Sequence, residues 1–144
     1  MTKEEFLSNM KKHGAIFAAA ETQQNIDLAN TTLQKIQAAM LPAFIINLYK
    51  EVGGINLGNG YIFGPTEFSV NNKFPVPDIV QVNKDLSDIN RMRGKTVFGR
   101  NDLFWFAFDS FGTCMMLDNT TLNVLRQYDA PYKALTDCLI AGKN

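Results

Sequence analysis

The sequence has little that carries chemistry on its face. Its 144 residues include one histidine, two cysteines and one tryptophan, and fourteen Lys and Arg are balanced by fourteen Asp and Glu. That balance removes the long-range field that draws proteins onto nucleic acids or anionic membranes. The lone histidine, His13, closes a short amphipathic segment where a helix dipole favours a cation, so a Ser-His or Cys-His relay lacks a placed base. Ser8, Ser69, Ser87 and Ser110 have no GxSxG surroundings. Cys114 and Cys138 lack CxxC or Cys/His spacing for zinc and read as reduced thiols. Nowhere do about 18 apolar residues run together, and the N-terminal MTKEEFLSNMKKHG carries acidic residues and no apolar run of signal-peptide length. The expectation is a cytoplasmic protein with no membrane or direct nucleic-acid partner, no metal, no cofactor and no catalytic residues. The sequons at Asn30 and Asn119 would matter only in a secreted protein.

What is present is a large apolar fraction, 46%, in a chain of single-domain length. Thr2 and Glu5 form a capping box before Phe6, Leu7 and Met10, predicting a helix from about Lys3 to His13. Residues 14–30 have no clear apolar face and read as a partly ordered linker. Asn30 or Thr31 then caps a second helix carrying Leu33, Ile36 and Met40. A third begins at Pro42, presents Leu41, Phe44, Ile45, Leu48, Tyr49 and Val52, and stops at Gly53-Gly54. The period becomes extended in GINLGNGYIFG, read as two strands around an Asn59-Gly60 turn. Residues 65–78, with three prolines, read as a loop, and Asp78 caps a fourth helix with Ile79, Val82, Leu86 and Ile89 on one face. Strands follow at 96–99, 103–109 and 113–117, with a fourth at 122–127, and a helix beginning at Pro131 places Leu135, Cys138 and Leu139 inward and ends at Gly142. The order predicts an α+β single domain over residues 1–144: a mostly antiparallel, curved sheet flanked by N-terminal and C-terminal helices.

The stretch GRNDLFWFAFDSFG poses the sharpest question, because it is aromatic enough to be either a core or an exposed platform. Phe104, Phe106 and Phe108 point one way on a strand, and Leu103, Trp105 and Ala107 the other. Apolar residues on both faces favour a central strand under helices over an open platform, with Trp105 best placed to reach a cleft edge.

Local motifs give no enzyme. Gly94-Lys95-Thr96 ends like a phosphate-binding loop, but Ile89 stands where the first glycine belongs. The glycines of GNGYIFG precede a strand, so no helix N-terminus follows to receive a phosphate. Glu67, Asp102, Asp109 and Asp118 lie near strand ends, where carboxylates are usually turn formers. Arg91, Arg93, Lys95 and Arg100 are the one basic concentration and read as the solvated rim of a sheet edge.

The order of several segments is distinctive. LPAFIINLYKEVGGI at 41–55, GYIFGPTE at 60–67, VFGRNDLFWFAFD at 97–109 and a closing YKALTDCL helix resemble the SUKH superfamily, the Smi/Knr-type proteins, over about residues 30–141. Leu41-Pro42, Gly53-Gly54, Ile62-Phe63-Gly64 and Phe106 to Asp109 carry the likeness. Gly53 departs from the Asn usual at that position. The resemblance implies the same α+β fold, no enzymatic activity, and a binding role. Bacterial members are viewed as immunity proteins that neutralise nuclease or deaminase toxins of competing cells, and fungal members as hubs in cell-wall signalling.

A protein of that kind needs a complementary surface and no reactive groups. The expected surface is a groove between the sheet and the loops at 64–78 and 100–102, with Tyr61, Glu67, Arg100, Asp102 and Trp105 as partner-binding candidates, chosen because aromatic and Arg residues anchor interfaces. The alternatives are a small-molecule or nucleotide-binding regulatory domain using the same concavity, or a general protein-interaction adaptor.

Overall fold

The computed structural model describes residues 1–71 and 74–143. Helix α1 (Lys3–Lys12) starts as its sequence requires: Thr2 Oγ1 accepts from the Glu5 amide at 3.1 Å while the Glu5 carboxylate accepts from the Thr2 amide. Phe6 and Met10 face inward. After it, residues 14–30 are more ordered than their polarity suggests. Ile16–Phe17 form strand β1, and Thr22 accepts from the Asn25 amide at 3.2 Å to open α2 (Gln23–Lys35). The run Glu21 to Asn25 is thus a cap and first turn, not a linker. Ile26, Ala29 and Leu33 supply a narrow buried stripe.

The expected second helix is therefore the last part of α2. Thr31 and Thr32 donate their hydroxyls back to the Asp27 and Leu28 carbonyls inside the helix, and Asn30 Oδ1 accepts from the Leu41 amide at 2.6 Å, so neither Asn30 nor Thr31 caps anything. Met40 lies beyond the helix and is exposed. Helix α3 (Ala43–Tyr49) begins after Pro42 as expected but ends before the glycine pair, with Lys50 as its C-cap.

The glycines do other work. A Cβ on Gly53 would meet the Ala19 carbonyl oxygen at 2.5 Å, and one on Gly64 would sit 1.6 Å from the Gly53 carbonyl oxygen. They let three backbone segments pack against one another, a close approach that no other residue permits.

Strands β2 (Ile55–Leu57) and β3 (Gly60–Ile62) form a hairpin whose Leu57 faces Gly60, so the turn is Gly58-Asn59, one residue earlier than the motif suggests, with φ +57° at Gly58. Phe63 then leaves the sheet, its carbonyl held at 2.6 Å by the buried Tyr49 hydroxyl. The proline-bearing segment is not simply a loop: β4 (Phe68–Val70) and β5 (Phe74–Val76) pair as a separate two-stranded sheet. Pro75 is tolerated because both strands are edges. Asn72 and Lys73 of that expected loop lie outside the described residues.

Asp78 caps α4 (Ile79–Lys84), its carboxylate accepting from the Gln81 amide at 2.8 Å. This helix is shorter than its apolar spacing implies. Ser87 donates its hydroxyl to the Lys84 carbonyl, turning the chain, so Leu86 is buried from a turn and Ile89 is exposed. A 3-10 turn at Asn90–Met92 leads into β6 (Lys95–Arg100), β7 (Phe104–Asp109), β8 (Cys114–Asp118) and β9 (Val124–Gln127), and α5 (Pro131–Lys143) closes the chain one residue past the expected Gly142.

The protein is a single α+β domain. Seven strands lie in the order β1-β2-β3-β6-β7-β8-β9, with every described neighbouring pair antiparallel. Helix α5 packs along one face. There Phe98, Phe106 and Phe108 form an aromatic cluster with Phe44 of α3, which also meets Tyr132 of α5. Phe98 belongs to this face because β6 bulges there: Val97 faces Ala107, yet Gly99 already faces Phe106. Helix α4 packs on β6 from the opposite side. The aromatic stretch is thus core, with Phe106, Ala107 and Phe108 fully buried and Trp105 half-buried. Leu103 falls outside the strand and is 62% exposed, and Phe111, at the turn, is 93% exposed.

Candidate functional site

Strand register builds one row of side chains across the sheet. Tyr61 on β3 faces Arg100 on β6, and Arg100 faces Trp105 on β7, so the three stand side by side on the face opposite α5. They line a cleft of about 400 Å³. The other wall comes from the segment between β3 and β6: Phe74 and Pro75 of β5, Pro77, Val82 of α4, and Asp85 at its end. Because β4 and β5 pair with each other and not with the main sheet, β5 stands across the cleft from this row as a separate wall.

Among the described residues neither the Arg100 guanidinium nor the Asp85 carboxylate makes a hydrogen bond or ion pair. An exposed cation between two half-buried aromatic rings can accept an anionic or planar group from outside, and the rings offer apolar area with polar tips.

Of the five residues the sequence singles out, the fold brings Tyr61, Arg100 and Trp105 together. Asp102 stands at the turn beyond, where its carboxylate accepts from Asn59 Nδ2 at 2.7 Å and its carbonyl from Asn119 Nδ2 at 3.1 Å. It braces three loops and does not line the cleft. Glu67 is exposed ahead of β4 and also lies off the cleft lining. The opposite wall takes Phe74, Pro75 and Pro77 from the segment 64–78, expected to border the groove, while Val82 of α4 and Asp85 at its end lie outside that expectation.

His13, Asp109, Asp118 and Arg91 have structural partners. His13 places Nδ1 2.8 Å from the Asn9 carbonyl at the end of α1. Asp109 Oδ1 accepts from the Phe111 and Thr113 amides, and Asp118 Oδ1 from those of Thr120 and Thr121. The Thr121 and Thr120 amides hold the Asp118 carboxyl below its ordinary value. Arg91 braces the β8–β9 turn through the Thr121 carbonyl and the Asn123 side chain. Burial pushes the Cys114 thiol up to about 12 and raises Cys138 as well, so neither is poised as a nucleophile. Among the described residues no three His, Cys, Asp or Glu side chains gather to hold a metal ion, and no helix is long and apolar enough to cross a membrane.

No protein-family model matches the chain, and no curated protein matches it.

Proposed function

We propose that this is a non-enzymatic binding protein, a bacterial immunity protein of SUKH type that acts in the cytoplasm by noncovalently covering a cognate toxin of nuclease or deaminase class. The row Tyr61–Arg100–Trp105 lining the cleft carries this reading. Tyr, Trp and Arg are the residue types that dominate binding energy at protein interfaces, above all where they cluster at the centre of the contact and are desolvated there. A rigid sheet holds them, so little ordering cost falls due on association. The α+β fold agrees with what the resemblance to that superfamily implies.

The test is co-purification of the tagged protein from its native organism, with Arg100→Glu as control. A single toxin-like partner at near-equal stoichiometry, lost with Arg100→Glu and accompanied by loss of protection in cells, supports the reading. Several unrelated partners with no protective effect would move it to an adaptor. A second reading has an observation of its own: 400 Å³ lies in the size range of small-molecule sites. A metabolite that raises the melting temperature with its concentration, and fails to do so with Trp105→Ala, would favour a regulatory ligand domain.

A further inference from the structure

A second surface, away from the cleft, carries an inference independent of that proposal. The β7–β8 turn holds Phe111 almost wholly in solvent, at 93% exposure. Its backbone is pinned: the Phe111 and Thr113 amides donate to Asp109 Oδ1 at 2.9 and 3.0 Å, and the Gly112 amide donates to the Asp109 carbonyl at 3.0 Å. On a pinned turn, burying the ring against a partner costs little further conformational entropy.

Beside it lies a concavity of about 530 Å³ between the turn and the start of α3, lined by Met40, Leu41, Pro42, Ala43, Gly112 and Phe111 itself among others. None of its lining side chains is charged, and Met40 is 48% exposed. Phe111 borders the hollow without filling it, and its ring stays almost wholly in solvent.

We propose that this patch is a self-complementary interface, in which two copies of the chain pair about a two-fold axis and each inserts Phe111 into the hollow of the other. Knob and hollow on one patch satisfy the isologous condition, that a two-fold axis makes both contacts at once. Charge agrees with a second copy as the occupant: the patch is uncharged and the chain has no net charge, so like copies approach without repulsion.

Area sets the strength. Each inserted ring removes roughly 150–250 Å² of its own surface and covers a comparable area of the hollow. Two contacts therefore total about 600–1,000 Å², below the roughly 1,200 Å² at which stable complexes begin. The pairing is a weak, reversible dimer that forms as concentration rises.

Sedimentation velocity of the purified protein from micromolar to near-millimolar concentration tests it. The expected result is a monomer–dimer equilibrium whose dissociation constant rises at least tenfold in Phe111→Asp, a variant whose fully exposed site leaves folding intact. Ala43→Lys, which puts a charge in the hollow, should have the same effect. An equimolar mixture of the two should recover dimer, because the Phe111 retained by one enters the hollow retained by the other, and Asp and Lys meet at the second contact. A monomer at every concentration, a dimer indifferent to Phe111→Asp, or a mixture no more associated than its components overturns the proposal.

Discussion

Asn83 bonds both backbone groups of a single residue, Val97: its Oδ1 accepts from the Val97 amide at 2.8 Å and its Nδ2 donates to the Val97 carbonyl at 2.9 Å. The same Nδ2 donates to the Ile79 carbonyl at 2.7 Å. Strand β3 has left the sheet at Phe63, and a side chain from α4 takes the place of the missing strand next to the β6 bulge. Asn83→Leu should therefore orphan two buried backbone groups and cost about 2 to 4 kcal/mol of stability, read as a shift in the urea midpoint. A loss under about 1 kcal/mol would mean that water or a shifted strand replaces the amide.

Trp105 is the chain's one tryptophan and lines the cleft, so its fluorescence reports the cleft alone. In the free protein acrylamide should quench it. A partner or ligand seated in the cleft should cut that quenching at least twofold. Unchanged quenching in a verified complex would place the contact elsewhere.

Among the described residues Arg100 has no hydrogen-bond or ion-pair partner, so Arg100→Glu should alter unfolding free energy by no more than about 0.5 kcal/mol. A larger loss by chemical denaturation would make Arg100 a structural residue and remove it from the candidate site.

Gly64 is constrained by contact. Its Cβ would lie 1.6 Å from the Gly53 carbonyl oxygen, so Gly64→Ala must separate the chain after β3 from the segment after α3. A loss of about 3 kcal/mol or more, or failure to accumulate folded protein, is the expected outcome. A normal melting temperature would show that the two segments part freely.

The thiols give a kinetic check. With Cys114 pushed up to about 12 and Cys138 raised by the same burial, almost no thiolate exists at pH 8, and both groups are enclosed. Ellman's reagent should find no rapidly reacting thiol in the native protein and two in guanidinium. One fast native thiol would mean local opening of β8 or α5.

Asp118 supplies a pH dependence of known sign. Its folded pKa lies below the ordinary 3.8 because the Thr121 and Thr120 amides bond the carboxylate. Its contribution is present above 3.8 and is lost as pH falls through the lower folded value. The melting-temperature deficit of Asp118→Ala should thus be largest near neutrality and shrink below about pH 4. A deficit independent of pH would assign it to turn geometry alone.

Much of this was legible in the chain. The capping box of α1, the β7 core strand and the meander from β6 to β9 follow from local signals that the tertiary structure only reinforces. The failures share a cause. The first two turns of α2 were missed because only Ile26, Ala29 and Leu33 are buried in a mostly polar segment, and the role of Thr22 as cap emerges only with them. The glycines at 53 and 64 looked like helix-stop and turn residues, whereas their need is steric and arises between segments distant in sequence. For the cleft, Tyr61, Arg100 and Trp105 were reachable from residue type and strand position. The segment 64–78 was expected across from them and supplies Phe74, Pro75 and Pro77, whereas Val82 and Asp85 were not reachable, because nothing local says that α4 will stand across from that row.

The cleft's two walls have separate origins in the chain. The floor is three strands of the main sheet, while the opposing wall is supplied by the excursion between β3 and β6, which leaves and re-enters at hydrogen-bonded neighbours. Such an excursion can change length at small entropic cost, each doubling adding only about 0.6 kcal/mol. That freedom is confined to its solvent-facing residues: Val70, Val76 and Ile79 are buried and Asn83 stitches the wall to β6, so Phe74, Pro75 and Asp85 are the positions that can change without unseating the wall.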